Sequence, residues 1–194
     1  GTAIPPIETD VTVVVAGVNQ PAENITGYLG PFRVLISDMV VLTNCEENVD
    51  RAMIDEIIQK IKRIKPGIEV VETIFRPQPL EDISGKKVFF TTTAPESANR
   101  VLKNWIESKF GAQVVGISNQ LSNRTLLRED ISNCKERFDT LLTELKAAAV
   151  DVVTAIGIEQ NRQVSYCDNI PLSLKAKSLG DLLVSLAKRA NATF

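Results

Sequence analysis

The sequence predicts an α/β fold, a three-layer α/β/α sandwich with helices on both faces of a mainly parallel sheet. Short runs of β-branched and other apolar residues alternate with longer segments in which apolar residues recur every three or four positions. Strands and helices that alternate in this way indicate βαβ units, whose crossovers are right-handed. The 194 residues, of which 44% are hydrophobic, are enough to bury a substantial core.

Seven apolar runs predict the strands. The first, residues 12–16 (TVVVA), is continuously apolar, which is typical of a strand buried on both faces of a sheet. The other six runs lie at residues 38–43, 68–75, 87–92, 113–118, 140–143 and 163–167.

Five amphipathic segments predict the helices, at residues 48–64, 97–110, 126–138, 147–158 and 179–190. In the first of these helices Ile57 and Ile61 share one face, and Pro66 follows its end. The second helix is expected to begin at a capping Ser97 and to end at Gly111 in a left-handed conformation. The proline-containing stretch at residues 76–86 is interpreted as a surface loop and a candidate internal boundary, and residues 1–6 as a further loop.

The composition excludes several kinds of function. The chain has no histidine, so Ser-His-Asp triads, Cys-His pairs and histidine zinc sites cannot be built from it. The formal net charge of −2 argues against binding to nucleic acid or to an anionic membrane. Three cysteines without a C-x-x-C pattern indicate reduced thiols, and no apolar run reaches the ~18–20 residues of a membrane span. These features predict a cytoplasmic protein without a metal site of its own.

Polar residues that follow the predicted strands form the candidate site, because ligands of open α/β sheets bind at the carboxyl ends of the strands. Asn44, Glu46 and Glu47 follow the second strand, where an amide and carboxylates can contact a purine base or a ribose. The alternative is an ordinary helix start, at which acidic residues favour the helix dipole. Thr92 and Thr93 follow the fourth strand and can contact a nucleotide or another anion; the alternative is a turn that bonds only the backbone.

Cations follow the next two strands. Arg124, with Arg128 one helical turn further, follows the fifth strand and can clamp a phosphate; the alternative is a solvated loop. Glu144 and Lys146 follow the sixth strand. A lysine near a helix start has the wrong sign for the helix dipole, which favours an anion-binding role over that of a plain surface lysine. A turn at residues 168–171 is expected to close the same rim. The sequence contains neither G-x-x-x-x-G-K-[ST] nor G-x-G-x-x-G, and so no phosphate cradle of a known kind.

Seven segments of the sequence resemble archaeal cyclic 2,3-diphosphoglycerate synthetases. The most distinctive are YLGPFRVLISDMVVLTNCEE at residues 28–47, GKKVFFTTTAP at 85–95 and LLTELKAAAVDVV at 141–153, and the others lie at residues 3–10, 75–80, 120–127 and 166–169. More distantly, the order T-x-C-E, T-x-A-P, L-T-E-x-K is similar to tetraacyldisaccharide kinases, and the opening G-T-x-x-P-P to dethiobiotin synthetases. Both of these families belong to the P-loop NTPases.

The resemblance implies an enzyme that uses ATP and Mg²⁺ to close the intramolecular phosphoanhydride of cyclic 2,3-diphosphoglycerate from 2,3-diphosphoglycerate, releasing ADP and phosphate. Such chemistry needs positioning and cations rather than histidine. Implied nucleotide-binding residues are Asn44, Glu46, Glu47, Thr92 and Thr93. Implied substrate-binding residues are Arg76, Arg124, Arg128 and Lys146. Implied catalytic residues are Lys146, Arg124 and Glu144, the last of which would support the metal or orient Lys146.

The resemblance also implies what the chain lacks. Family members carry an N-terminal domain and a Walker A loop upstream, so the chain is expected to be the C-terminal part of a P-loop NTPase-like domain without its own P-loop. On that interpretation it is inactive alone, works with the remainder of the enzyme and forms a homodimer. Two alternatives stay open: another P-loop kinase or ligase acting on a small phosphorylated substrate, and a nucleotide-binding or interaction module without catalysis.

Overall fold

The chain folds as α/β, as the sequence predicts, and divides into two compact units. The computed structural model describes residue 7 and residues 9–191; the loop expected at residues 1–6 lies outside them. Unit 1 comprises residues 1–75 and 171–194, and unit 2 comprises residues 76–170.

The helices and strands of the described residues mostly alternate along the chain. They are β1 Val13–Gly17, α1 Ala22–Thr26, α2 Gly30–Ile36, β2 Met39–Thr43, α3 Arg51–Ile64, β3 Glu69–Pro79, β4 Lys87–Thr91, α4 Asn99–Phe110, β5 Gln113–Ser118, α5 Arg124–Ser132, β6 Thr140–Glu144, α6 Val150–Glu159, β7 Gln163–Ser173 and α7 Leu179–Asn191. The exceptions are that α2 follows α1 and β4 follows β3. The chain passes from one unit to the other within β3 and again within β7.

Unit 1 is a three-layer arrangement around parallel strands in the order β1-β2-β3. On one face, Ile57 and Ile61 of α3 are fully buried in a core that also receives apolar residues of α1 and α2. On the other face, Leu182 and Leu186 of α7 pack in a cluster with β2 and β3. Each such buried side chain contributes about 1.5–3 kcal/mol of transfer free energy.

Unit 2 has the same layering around parallel strands in the order β7-β6-β4-β5. Leu102 and Ile106 of α4 cover one face and pack with Phe90 of β4. Helices α5 and α6 cover the other face, where Phe89 of β4 lies in their core. Successive strand residues point to opposite faces, so Phe89 and Phe90 serve different layers. The prediction of a mainly parallel sheet with helices on both faces is therefore confirmed within each unit.

Several sequence-based boundaries were wrong. Residues 76–79 continue β3, so the stretch at 76–86 is a loop only from Leu80 onward. The turn expected at 168–171 is part of β7, because that strand extends to Ser173. Helix α5 ends at Ser132 rather than at residue 138. Ser97 does not cap α4, since it lies in a 3₁₀ turn and the N-cap residue is Ala98.

Two features of unit 1 also differ from expectation. Helices α1 and α2 lie between β1 and β2, where the sequence analysis placed none. Strand β1 was expected to be buried on both faces, but it lies at the end of the strand order and Val15 is 65% exposed. In contrast, all five residues of β2 are buried, because apolar residues of α3 pack on one face of this central strand and those of α7 on the other.

Candidate functional site

The carboxyl edge of unit 2 is organised by one buried carboxylate. Glu144, the last residue of β6, is only 6% exposed. Its Oε1 accepts a hydrogen bond from the Thr92 hydroxyl at 2.5 Å. Its Oε2 accepts from the Thr93 amide and the Thr93 hydroxyl, both at 3.0 Å. Hydrogen bonds of this number offset part of the desolvation cost of a buried carboxylate.

Strand pairing explains why these residues meet. Thr91 of β4 lies opposite Thr143 of β6 in the parallel register, so the residues that follow each of them come together at the sheet edge. The Thr92 hydroxyl also accepts from the Ala94 amide at 3.0 Å, which closes the turn after β4. The turn is thus held from both sides, by its own backbone and by the carboxylate of the neighbouring strand.

Two asparagines extend this edge, and the sequence analysis did not identify either of them. The Asn119 amide group donates to the Ala94 carbonyl at 2.7 Å, and Asn99 donates to the Asn119 side-chain oxygen at 3.0 Å. Asn119 follows β5 and Asn99 begins α4. A polar residue directly after a strand was the available signal for Asn119, whereas nothing in the pattern distinguishes Asn99.

The cations at this edge are paired with surface carboxylates. Lys146 Nζ lies 3.3 Å from Asp168 Oδ1, and the lysine side chain is 84% exposed. The Arg124 guanidinium donates to Asp151 Oδ2 at 2.6 Å and to the Ala148 carbonyl at 3.0 Å. The hydrogen bond from Arg124 lowers the pKa of Asp151 below its ordinary value. Exposed pairs of this kind contribute little to stability and are screened by salt, so an anionic ligand can replace the carboxylates.

The other two predicted arginines occupy different environments. Arg128 lies on an exposed position of α5, one turn after Arg124. Arg76 lies within β3 and is 8% exposed, so it is part of the interior of the strand layer.

Asn44, Glu46 and Glu47 lie at the carboxyl edge of unit 1. Asn44 directly follows β2 with a left-handed φ of 63°. Gly17 at the end of β1 lies against it, because a Cβ added to Gly17 would be 3.3 Å from Asn44 Nδ2 and 2.5 Å from Asn19 Oδ1. Glu46 is partly buried and Glu47 is exposed, in the loop before α3.

The start of α3 carries an ion cluster that the sequence analysis did not predict. Asp50 is the N-cap residue and accepts from the Ala52 amide at 2.9 Å. Arg51 pairs with Glu72 of β3 and with Asp55 at 2.6 Å, and these bonds raise its pKa. Arg51 is therefore already neutralised within unit 1.

The buried thiols are not reactive groups. Burial raises the pKa of Cys45 to about 11 and raises the pKa of Cys167 further. Both thiols are therefore protonated at neutral pH, in agreement with an interpretation as small buried apolar residues.

The described residues contain no group of three or more Cys, Asp and Glu side chains arranged to hold a metal ion. A Mg²⁺ ion in proteins is commonly held by one or two carboxylates together with the phosphates of a substrate. Glu144 and Asp168 are carboxylates near the carboxyl edge of unit 2, where such an ion would be expected. However, both oxygens of Glu144 already accept hydrogen bonds. No helix within residues 9–191 is both long and apolar enough to cross a bilayer.

Comparisons with known proteins give one consistent family. The model described as the P-loop domain of cyclic 2,3-diphosphoglycerate synthetase matches residues 1–74, and the model of the C-terminal domain of the same synthetase matches residues 79–170. The Walker A phosphate-loop motif, G-x-x-x-x-G-K-[ST], is absent from the 194 residues. Even so, the match to residues 1–74 corrects one expectation. Sequence of the P-loop domain is present in this chain, so the expected inactivity of the chain alone is not supported.

Curated relatives carry the same printed name, cyclic 2,3-diphosphoglycerate synthetase. The protein of Methanosphaera stadtmanae is 42% identical over 100% of this chain, and that of Methanothermobacter thermautotrophicus is 45% identical over 100%. A relative from the genus Rubrobacter, R. xylanophilus, is 42% identical over 98% of the chain. In each case the chain spans 42% of the length of the relative.

Proposed function

We propose that the chain, whose two domain matches are both to cyclic 2,3-diphosphoglycerate synthetase, works within an ATP-dependent synthetase that makes cyclic 2,3-diphosphoglycerate. In the proposed reaction, the γ-phosphoryl group of ATP is transferred to one phosphate of 2,3-diphosphoglycerate and ADP leaves. The second phosphate of the substrate then attacks the activated one and displaces inorganic phosphate. One intramolecular P–O–P bond forms, and one P–O–P bond of ATP is broken.

The observation that carries this proposal is the succession of two domain matches. The P-loop domain match ends at residue 74 and the C-terminal domain match begins at residue 79. Unit 2, residues 76–170, covers nearly the same residues as the second match. The proposal therefore assigns nucleotide recognition to unit 1 and recognition of the anionic substrate to unit 2.

The substrate role of unit 2 is supported by its cations. 2,3-Diphosphoglycerate carries two phosphates and a carboxylate, and phosphoryl-transfer sites neutralise such charge with Lys, Arg and Mg²⁺. Lys146, Arg124 and Arg128 supply exposed positive charge; the first two pair with surface carboxylates, and Arg124 also donates to the Ala148 carbonyl. Arg76 contributes from within β3. Glu144 would act on the turn at Thr93, whose amide and hydroxyl it fixes.

The nucleotide role of unit 1 is supported by the groups that follow β2. The Asn44 carboxamide can both donate to and accept from a base edge, and Glu46 and Glu47 can accept from ribose hydroxyls. Thr92 and Thr93, the other residues predicted to bind the nucleotide, belong to unit 2. Their hydroxyls and the Thr93 amide are engaged with Glu144, so their proposed contribution is to hold the turn after β4 in place.

Other components of the enzyme complete the proposal. A Walker A loop supplied by polypeptide beyond these 194 residues would cradle the phosphates, since the motif is not present in the sequence. Mg²⁺ would be held chiefly by the phosphates of ATP. The three cysteines, none of them in a disulfide, fit a reducing cytoplasm, and a homodimer is the proposed assembly.

A second candidate function is a nucleotide-binding module without catalysis, which the missing phosphate-loop motif favours. Isothermal titration calorimetry of the chain separates the two. The synthetase proposal expects 2,3-diphosphoglycerate to bind at least tenfold more tightly than 3-phosphoglycerate. Binding of ATP with no preference between the two glycerates would favour the module instead.

A further inference from the structure

Helix α2 has an apolar outer face that the described residues of unit 1 leave largely exposed. Val34 packs in the core of unit 1, and Gly30 is also buried. The remaining large apolar side chains of this segment are 38–52% exposed; they are Leu29, Phe32, Leu35 and Ile36. Together with Tyr28, which is 97% exposed, they form what we call the α2 patch. Arg33 is the one charged residue of α2, and an apolar helix face is ordinarily buried against another element.

Tyr28 adds a second sign that the α2 patch lacks a partner. Its φ of 47° is unusual for a bulky residue, since left-handed backbone without glycine costs free energy. Because the Tyr28 ring is almost fully exposed, it makes no packing contacts within unit 1 that would offset the free-energy cost of this backbone conformation. A contact that buries the ring would offset it.

Strand β1 shows the same mismatch between its sequence and its surroundings. Its apolar run is typical of a strand with both faces covered, yet Val15 is 65% exposed. Within the described residues β1 pairs only with β2, so its outer edge presents unpaired backbone amides and carbonyls. β1 and α2 belong to the same crossover, which leads from β1 through α1 and α2 to β2.

We propose that the α2 patch and the outer edge of β1 form the docking surface for the polypeptide that full-length synthetases carry beyond the region matched here. That polypeptide would add a strand to the edge of β1 and an apolar layer over α2. This inference rests on the proposed role of the chain within a larger synthetase.

The size of the surface and the length of the relatives support this occupant. The exposed parts of the α2 patch amount to roughly 500 Å², taking about 200 Å² for a whole large side chain. A stable interface buries about 800 Å² on each partner, so the patch and the strand edge together approach what is needed. The matched region is 42% of each relative, which leaves more than half of its length to supply the cover.

The test measures the accessibility of Leu35 by cysteine labelling. A Leu35→Cys variant and a control Ile158→Cys variant are made in this chain, and the aligned positions are changed in the full-length relative of Methanothermus fervidus, which is 44% identical. Ile158 lies on α6 in unit 2 and is 77% exposed. Maleimide labelling is followed at the peptide level by mass spectrometry, so the native thiols do not interfere.

The proposal expects both positions to label rapidly in the 194-residue chain. In the full-length relative, the position aligned with Leu35 should label at least tenfold more slowly, while the control position keeps its rate. Equal labelling of the two positions in the relative would overturn the proposal. Slow labelling of Leu35→Cys in this chain that accelerates on dilution would also overturn it, because a second copy would then cover the patch.

A further measurement avoids substitution altogether. Hydrogen exchange of the unmodified proteins should show stronger protection of the segment aligned with residues 28–36 in the full-length relative than in this chain. Unchanged protection would contradict the proposed docking. Neither readout depends on catalysis, so a failure of the proposed reaction and a failure of the docking surface give different results.

Discussion

Glu144 at the end of β6 accepts two hydrogen bonds from Thr93, one from its amide and one from its hydroxyl, each at 3.0 Å. This pair joins the ends of two neighbouring parallel strands at the edge where α/β sheets bind ligands. It places a buried carboxylate beneath the turn that the proposed site uses, and it makes the geometry of that turn depend on a residue more than 50 positions away.

Removal of the Glu144 carboxylate is expected to destabilise unit 2. Glu144→Ala leaves the Thr93 amide and two threonine hydroxyls without their acceptor, and each unsatisfied buried group costs about 1–3 kcal/mol. We expect the free energy of unfolding in urea to fall by about 2–4 kcal/mol. Glu144→Gln should lose less, since its amide oxygen still accepts from Thr93. Glu159→Gln, at an exposed position of α6, is the control, and an equal loss in both glutamine variants would contradict this role.

The pairing of Arg124 with Asp151 predicts a pH dependence. The hydrogen bond from Arg124 lowers the pKa of Asp151 from an ordinary value of 3.8. A carboxylate whose pKa is lower in the folded state stabilises the fold at pH values above its pKa in the unfolded state. This stabilisation is lost as the pH falls through its pKa in the folded state. Arg124→Gln should therefore move the pKa of Asp151 upward, as measured by NMR titration of its carboxyl carbon. A titration curve that does not move would show that the pair is not formed in solution.

The buried thiols predict a simple reactivity pattern. Cys45 and Cys167 have raised pKa values through burial, whereas Cys134 is partly exposed. At pH 8 a disulfide reagent should modify Cys134 rapidly and the other two only after denaturation. Because the folded state disfavours the thiolate of Cys45, stability should also decline as the pH rises above the ordinary thiol pKa of 9.0. Rapid modification of Cys45 in the native protein would contradict its assigned burial.

Gly111 is expected to be a stability determinant of unit 2. It ends α4 with a φ of 67°, a conformation in which a side chain is strained. Gly111→Ala should lower the free energy of unfolding by about 1 kcal/mol. Gly180→Ala is a matched control, because that glycine lies in the first turn of α7 and an added Cβ would meet only Ser178 Oγ at 3.8 Å. A larger loss at Gly180 would overturn the argument from backbone conformation.

The sequence predicted the parts of the fold that are set by local periodicity. Ile57 and Ile61 identified the buried face of α3, and Gly111 identified the end of α4, because each depends on residues close in the chain. Helix α2 was missed because it has only seven residues, of which all but Arg33 are apolar or glycine, and so shows no recognisable period. The exposure of Val15 could not be foreseen, since it depends on what lies beyond β1.

In the candidate site, too, features set by local sequence could be predicted and features set by strand pairing could not. The positions of Asn44 and Thr92 directly after strands, and of Glu144 at the end of one, could be predicted from the sequence. That Thr93 meets Glu144 could not, because the contact requires β4 and β6 to be neighbours although β5 lies between them in the chain. The ion pair between Lys146 and Asp168 could not be predicted either, because Asp168 lies within β7, beyond the end predicted for that strand.

The most direct test of the proposed function is a calorimetric titration of the chain with 2,3-diphosphoglycerate at low salt. Lys146→Ala and Arg124→Ala should each weaken binding about tenfold or more, because each loses charge-assisted hydrogen bonds to the ligand. Asp168→Asn should strengthen it by freeing Lys146, and Lys109→Ala, an exposed lysine near the end of α4, should leave it unchanged. Equal affinity in all four variants and the unmodified chain would contradict the assignment of substrate recognition to unit 2.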